Sequence, residues 1–279
     1  MEKFAIKTSK STVDVTKIII KWYHALDFPT EYNDEFYQAL STECILSTTN
    51  VEDYDEACDN GKKNLLSFLY MCEAYENQCK QKGIPESVIL DTLQDVVIWT
   101  KIWSAIKGTL YLGELSWLKR HFTLRLFRLG RLQFSMAQAE CDVEELGIEK
   151  GENNMQIHIP RGGKLNEDAC KQSLARARTF FDTFFPDFSY RYFTCHSWLL
   201  WKGLDKYLPP ESNILRFADM FSIANVDESD ALLRYVFRWD TTRENIADAP
   251  CPSAFAQKVK QAVLYGEKFF VGYGVINKG

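Results

Sequence analysis

The hydrophobic period of this chain turns from helical to alternating near Arg131, and that change governs what the chain can fold into. Upstream, apolar residues recur at helical spacing. Ile18, Ile19, Trp22, Tyr23 and Leu26 form one stripe, and Leu65, Leu66, Phe68, Leu69, Met71 and Cys72 form a second. A third runs through Ile89, Leu93, Val96, Val97, Ile102, Trp103 and Ile106, with Pro85 placed to open a helix and Gly108 to close it. A fourth helix is predicted from about Leu115 to Leu126, opened by Glu114. Then Leu132, Phe134 and Met136 alternate with Gln133 and Ser135, the first clear strand. The predicted class is therefore α+β, with a helical domain over residues 1–128 and a mixed-sheet domain with flanking helices over residues 129–279.

Within the second half, Met155, Ile157 and Ile159 alternate with Gln156 and His158, again a half-buried strand. Pro160-Arg161-Gly162-Gly163-Lys164 stops it, because proline cannot donate to a ladder and paired glycines allow positive φ. Asn166 is placed as an N-cap, and Leu174, Ala177, Phe180, Phe181, Phe184 and Phe185 give the following helix an apolar face. Free N–H groups at such a turn, backed by the helix dipole, suit an anion, with Arg161 and Lys164 beside it. The same stretch also reads as an ordinary strand-to-helix turn with solvated charges. Further on, Tyr190 to Leu200, Phe221 to Val226, Leu232 to Trp239 and Phe269 to Ile276 are predicted strands. Ser212-Asn213 caps a short helix through Phe221, and Ala254 to Lys268 is a longer one.

Composition narrows the function. With 46% hydrophobic and 14% aromatic residues among 279, the chain can bury a large core. A formal net charge of −5 argues against a general nucleic-acid binder. The polar start, with Glu2, Lys3, Lys7 and Lys10, shows no signal peptide, and no apolar run reaches membrane-spanning length, so a cytoplasmic protein is expected. The eight cysteines (Cys44, Cys58, Cys72, Cys79, Cys141, Cys170, Cys195 and Cys251) make no C-x-x-C pair and no zinc spacing, and no metal is expected. Glu52, Asp53, Asp55, Glu56 and Asp59 read as a solvated helix start or loop.

Several short motifs then fall into one order: Gly83-Ile84-Pro85, Asp91-Thr92-Leu93 with Asp95, Trp117-Leu118, and the run from Leu126 to Phe134. His158-Ile159-Pro160 with Gly162, Gly163 and Leu165, then Cys195 to Leu200, then Ser212-Asn213-Ile214 complete the set. With these the chain resembles the bacterial N-acyltransferases that join a helical N-terminal domain to a GNAT-like C-terminal domain. The resemblance runs from about residue 60 to the end. It implies a sheet whose two neighbouring parallel strands splay around acetyl-CoA or another acyl-CoA, and transfer of the acyl group to a small-molecule or peptide amine. Met155 to Ile159 would be the first of those strands and Tyr190 to Leu200 the second. Ile159, Arg161, Gly162, Gly163, Lys164 and Asn213 would meet the cofactor. GNAT enzymes usually carry Arg or Gln, two residues, Gly, one residue, then Gly or Ala in this loop. Here the first position falls on Ile159 or Pro160 and the last on Lys164 or Leu165, so neither register fits.

Amine acylation needs a base, donors for the developing oxyanion and an acid for the thiolate. His158 is the leading base, with a structural histidine as the alternative, and His196 is a second candidate. Cys195 would support a covalent acyl-thioester route, although adjacent strand residues face opposite ways and His196 cannot easily activate it. A buried structural cysteine is the other reading. The arginines from Arg125 to Arg131 could meet an anion, or pair with acidic residues or helix carbonyls. Tyr192, Tyr207 and Tyr235 are possible acids. The rival to an enzyme is a non-catalytic GNAT-like module that binds an anionic ligand or a protein partner.

Overall fold

The computed structural model describes residues 12–43, 60–140 and 142–279. Cys44, Cys58, Cys141 and the acidic cluster from Glu52 to Asp59 lie outside the described residues. The chain divides into two compact units, Met1–Leu124 and Arg125–Gly279. Among the described residues, no helix is long and apolar enough to cross a membrane.

The first unit is helical: α1 (Thr12–Ala25), α2 (Asn33–Thr42), α3 (Gly61–Gln81), α4 (Glu86–Leu93), α5 (Asp95–Lys107) and α6 (Leu115–Leu118), the last running into a 3-10 turn over Lys119–Thr123. Burial follows the predicted stripes. Ile19, Trp22, Tyr23, Leu65, Leu66, Phe68, Leu93 and Val96 are all buried. Tyr23 stacks on Phe36 of α2, with ring centroids 3.7 Å apart. Asn60 caps α3 by accepting from the Lys63 N–H at 2.9 Å. The predicted helix from Pro85 to Gly108 is two helices, interrupted at Gln94, whose side chain donates to the Leu26 carbonyl at 3.1 Å. Gly108 closes α5 at φ 71°, a conformation that glycine adopts without strain. At the opposite end of α5, around Asp95, is a buried polar knot. Trp117 Nε1 donates to Asp95 Oδ2 at 2.7 Å, and His121 Nε2 stands 3.3 Å from the same oxygen.

The second unit is one mixed sheet with helices. Its strands are β1 (Leu126–Leu129), β2 (Leu132–Gln138), β3 (Asn153–His158), β4 (Tyr192–Ser197), β5 (Ser222–Glu228) and β6 (Phe270–Asn277), in the order β1-β2-β3-β4-β6-β5. Every neighbouring pair is antiparallel except β3 and β4, which are parallel. The crossover that a parallel pair requires is α7 (Glu167–Phe184). Phe180 and Phe181 of α7 meet Phe127 of β1 at centroid separations of 4.9 and 6.1 Å, and truncating a ring buried like Phe181 costs about 3–5 kcal/mol. A smaller apolar cluster of Ala139, Val143, Ile148, Tyr192 and Val275 gathers separately.

Three elements depart from the sequence reading. Of the helix predicted from about Leu115 to Leu126, only Leu115–Leu118 is α-helical, and Leu126 opens the strand Leu126–Leu129. The stretch predicted as a strand from Leu232 to Trp239 is instead the short helix α9 (Ala231–Val236), followed by turns. The predicted strand Tyr190 to Leu200 stops at Ser197, where Trp198–Leu200 tightens into a 3-10 turn capped by the Ser197 hydroxyl. The remaining helices are α8 (Asn213–Ala218), whose N-cap is Ser212, and α10 (Ala254–Leu264).

Candidate active site

The parallel ladder between β3 and β4 is short. It holds only Met155↔Phe193 and Gln156↔Thr194. Beyond those pairs β3 stays bonded to β2 as far as His158, and β4 stays bonded to β6 as far as Ser197. The two central strands therefore part in the middle of the sheet, their parallel ladder ending at Gln156 and Thr194. Buried peptide groups normally find partners, so an open seam inside a sheet marks a place for an extended ligand.

Cross-strand pairing assigns the faces, because paired residues project to the same side. Gln156 pairs with Thr194, so His158 and His196, each two residues further on, lie on one face and flank the seam from opposite strands. Cys195 lies on the other face, fully buried, and burial pushes its thiol up to about 12. A covalent route needs a depressed thiol pKa, so the structure gives Cys195 a core role instead. His158 is half-buried, and its Nε2 lies 2.9 Å from Ser135 Oγ on β2. His196 is exposed, with Nε2 4.0 Å from Asp227 Oδ2, too far for a hydrogen bond. The same face carries a buried polar row that the sequence did not single out. Thr194 Oγ1 donates to Asn154 Oδ1 at 2.8 Å, and Gln133, opposite His158, is 1% exposed with Nε2 unpartnered. Such an orphan in a native chain calls for a ligand, a water or a functional reason.

The chain turns out of β3 through the glycine loop. Gly162 and Gly163 adopt φ 97° and 69°, and a Cβ added at either would meet nothing within 4 Å. These glycines serve backbone conformation and leave open space in front of the loop. Asn166 caps α7 by accepting from the Ala169 N–H at 3.1 Å. Lys164 is exposed at the rim. Arg161 does not reach over the loop as its position suggested. Its guanidinium donates to the Tyr235 carbonyl at 2.9 Å, at the end of α9, and desolvation by burial lowers its pKa. Asn213, the first residue of α8, lies on a helix that packs against α7, where Arg216 acts on Glu167. Ile159 is half-buried at the mouth of the seam. The possible acids divide. Burial, and after it the 2.6 Å hydrogen bond that Tyr207 donates to Glu267, raise the Tyr207 pKa, so it is a poor proton source, and Tyr235 is exposed on α9. Among the described residues, no group of three His, Cys, Asp or Glu could hold a metal ion.

Comparison with known proteins bears on both units. A family profile described as "GNAT-like C-terminal domain" matches residues 126–276, and one described as "N-acyltransferase N-terminal domain" matches residues 15–124. No curated protein matches the sequence. Among solved structures, an acyltransferase in complex with decanoyl-CoA and teicoplanin is similar at 21% identity and a TM-score of 0.79, over 100% of this chain and 91% of that one. An acyltransferase in complex with CoA and 10C-teicoplanin is similar at 22% identity and a TM-score of 0.78, over 94% and 88%. A third, in complex with decanoyl-CoA, is 24% identical with a TM-score of 0.68, over 98% and 80%. At such identities the likeness establishes the fold.

Proposed function

The chain belongs to the family of N-acyltransferases with a GNAT-like C-terminal domain, and from that premise we propose that it transfers an acyl group from acyl-CoA to an acceptor amine. The observation that carries this reading is the seam between β3 and β4, opening directly onto the glycine loop and the capped start of α7. An acyl-pantetheine arm is extended and amide-rich, so it can bond along the parting strands as another strand would. Its pyrophosphate then meets the loop N–H groups and the positive end of the α7 dipole.

In this reading the reacting thioester lies at the mouth of the seam. Backbone N–H groups on the open edge of β3 stabilise the negative charge that develops on the carbonyl oxygen. His158 accepts the proton of the attacking amine. It is favoured over His196 because Ser135 holds its ring, whereas Asp227 stands too far away to hold the ring of His196. The new C–N bond forms as the C–S bond breaks, and the thiolate leaves with the electron pair and takes up a proton. Decanoyl-CoA in the similar structures makes medium-chain acyl-CoAs the first donors to try, and teicoplanin the first acceptor beside simple amines. The test is thiol release from a panel of acyl-CoAs with and without each amine. Amine-dependent release supports the proposal. Tight acyl-CoA binding without turnover would point to a non-catalytic module, and no binding at all would remove both.

A further inference from the structure

The glycine loop lacks the Arg or Gln expected at its first position, yet it is anchored by an arginine from elsewhere. Arg131 sits in the turn between β1 and β2. Its Nη1 donates to the Pro160 carbonyl at 3.0 Å and its Nε to the Lys164 carbonyl at 3.1 Å, with Nη2 3.5 Å from the Gly163 carbonyl. The turn itself is fixed. The Ser173 hydroxyl on α7 accepts from the Arg131 N–H at 2.8 Å and from the Leu132 N–H at 3.3 Å. Gly130, at φ 89°, lies so close that an added Cβ would stand 3.0 Å from Ser173 Oγ. One guanidinium, one hydroxyl and one glycine thus tie the hairpin, the loop and α7 together.

Two consequences follow for an anion. In a trans peptide the N–H points away from the C=O, so drawing three carbonyls toward Arg131 turns the N–H groups of Arg161, Lys164 and Leu165 to the opposite side. Among the described residues those three N–H groups have no hydrogen-bond partner. The guanidinium also forms no ion pair with a described carboxylate, so its charge stands uncompensated behind the loop. A neutral anchor would orient the loop equally well. A charged one adds attraction for the ligand in front.

We propose that Arg131 is a positioning residue of the donor site, holding the loop carbonyls so that the loop N–H groups face the pyrophosphate of an acyl-CoA. This rests on the acyl-CoA reading above. It also accounts for the irregular loop motif, since the polar anchor comes from a hairpin about thirty residues upstream. The role is specific to phosphates, and that makes it separable from a general structural one.

The test compares CoA with octanoyl-pantetheine, which keeps the arm and lacks the phosphates, by calorimetry on wild type, Arg131→Gln and Arg131→Lys. CoA affinity is expected to fall about 10- to 100-fold in Arg131→Gln, the range of hydrogen bonds to charged groups. Arg131→Lys should lose a large part of it too, because a point charge cannot span the carbonyls. Octanoyl-pantetheine affinity should be unchanged. Equal CoA binding in folded variants overturns the proposal, and so does equal weakening of both ligands. Failure of the wild type to bind CoA would instead overturn the function reading. If Arg131→Gln does not fold, Arg131→Lys decides by the same comparison.

Discussion

Replacing Gly162 and Gly163 together by alanine perturbs the loop without touching its packing. A Cβ at either position meets nothing within 4 Å, so the penalty is conformational alone. An L-residue held at positive φ costs roughly 1–2 kcal/mol, or about 2–4 kcal/mol for the pair. Both glycines are exposed, so the variant loop can relax and stability need not fall by that full amount. Whatever strain the free loop escapes must be restored when a ligand needs the original conformation. The loss of stability and the loss of binding should therefore add up to the same 2–4 kcal/mol. If the loop relaxes fully, CoA affinity drops by about 30- to 1,000-fold. Urea denaturation gives the first quantity and calorimetric titration of CoA the second. Gly266, at φ 80° beyond α10 with equally open space, is the control, since alanine there imposes similar strain and should leave CoA binding intact. Unchanged stability together with unchanged CoA affinity in the double variant would mean that neither glycine is needed for its positive φ.

Further expectations concern single side chains. His158→Gln keeps a hydrogen bond to Ser135 but has no basic nitrogen, so kcat/KM should fall about 10²–10⁴-fold. If the loss appears in His196→Gln instead, the base is on β4. Cys195→Ala should transfer acyl groups within a few-fold of wild type, because a thiol at about 12 is ionised at pH 8 in only about one molecule in ten thousand. Loss of turnover in a folded Cys195→Ala would restore the covalent route. Trp117→Phe removes the donor to buried Asp95 and should destabilise the protein by about 1.5–3 kcal/mol in urea, and an unchanged midpoint would mean the bond contributes nothing net.

The family and the α+β class were legible because their signals are periodic and local. The helical stripes, the alternation from Leu132, and the strand, glycine turn and helix between Met155 and Phe184 all appear close to where they were read. Errors arose where burial erased the period. Leu126, Phe127 and Leu129 are all buried although they fall on both faces of β1, so no alternation marks the strand that opens at Leu126, where the predicted helix ended. Leu232 to Trp239 is rich in aromatic and branched residues, yet only Leu232, Leu233 and Phe237 are buried, and a short helix satisfies them. The break at Gln94 depends on the carbonyl of Leu26, 68 residues away, which no local pattern reveals. The site shows the same division. The loop glycines and the Asn166 cap were visible as local chemistry. Arg131, Ser135 and the α9 carbonyl that takes Arg161 come from other elements, and only the folded unit brings them to His158 and the loop.

The proposed transfer requires an acyl-CoA to occupy the seam between β3 and β4 and the loop that follows. Hydrogen–deuterium exchange with and without octanoyl-CoA reads that directly, since amides that gain a partner exchange more slowly. Protection is predicted over residues 157–170 and over the inner edge of β4, from Cys195 to Ser197, with β5 unaffected. Binding that protects other segments and leaves residues 157–170 exchanging as in the free protein would contradict it.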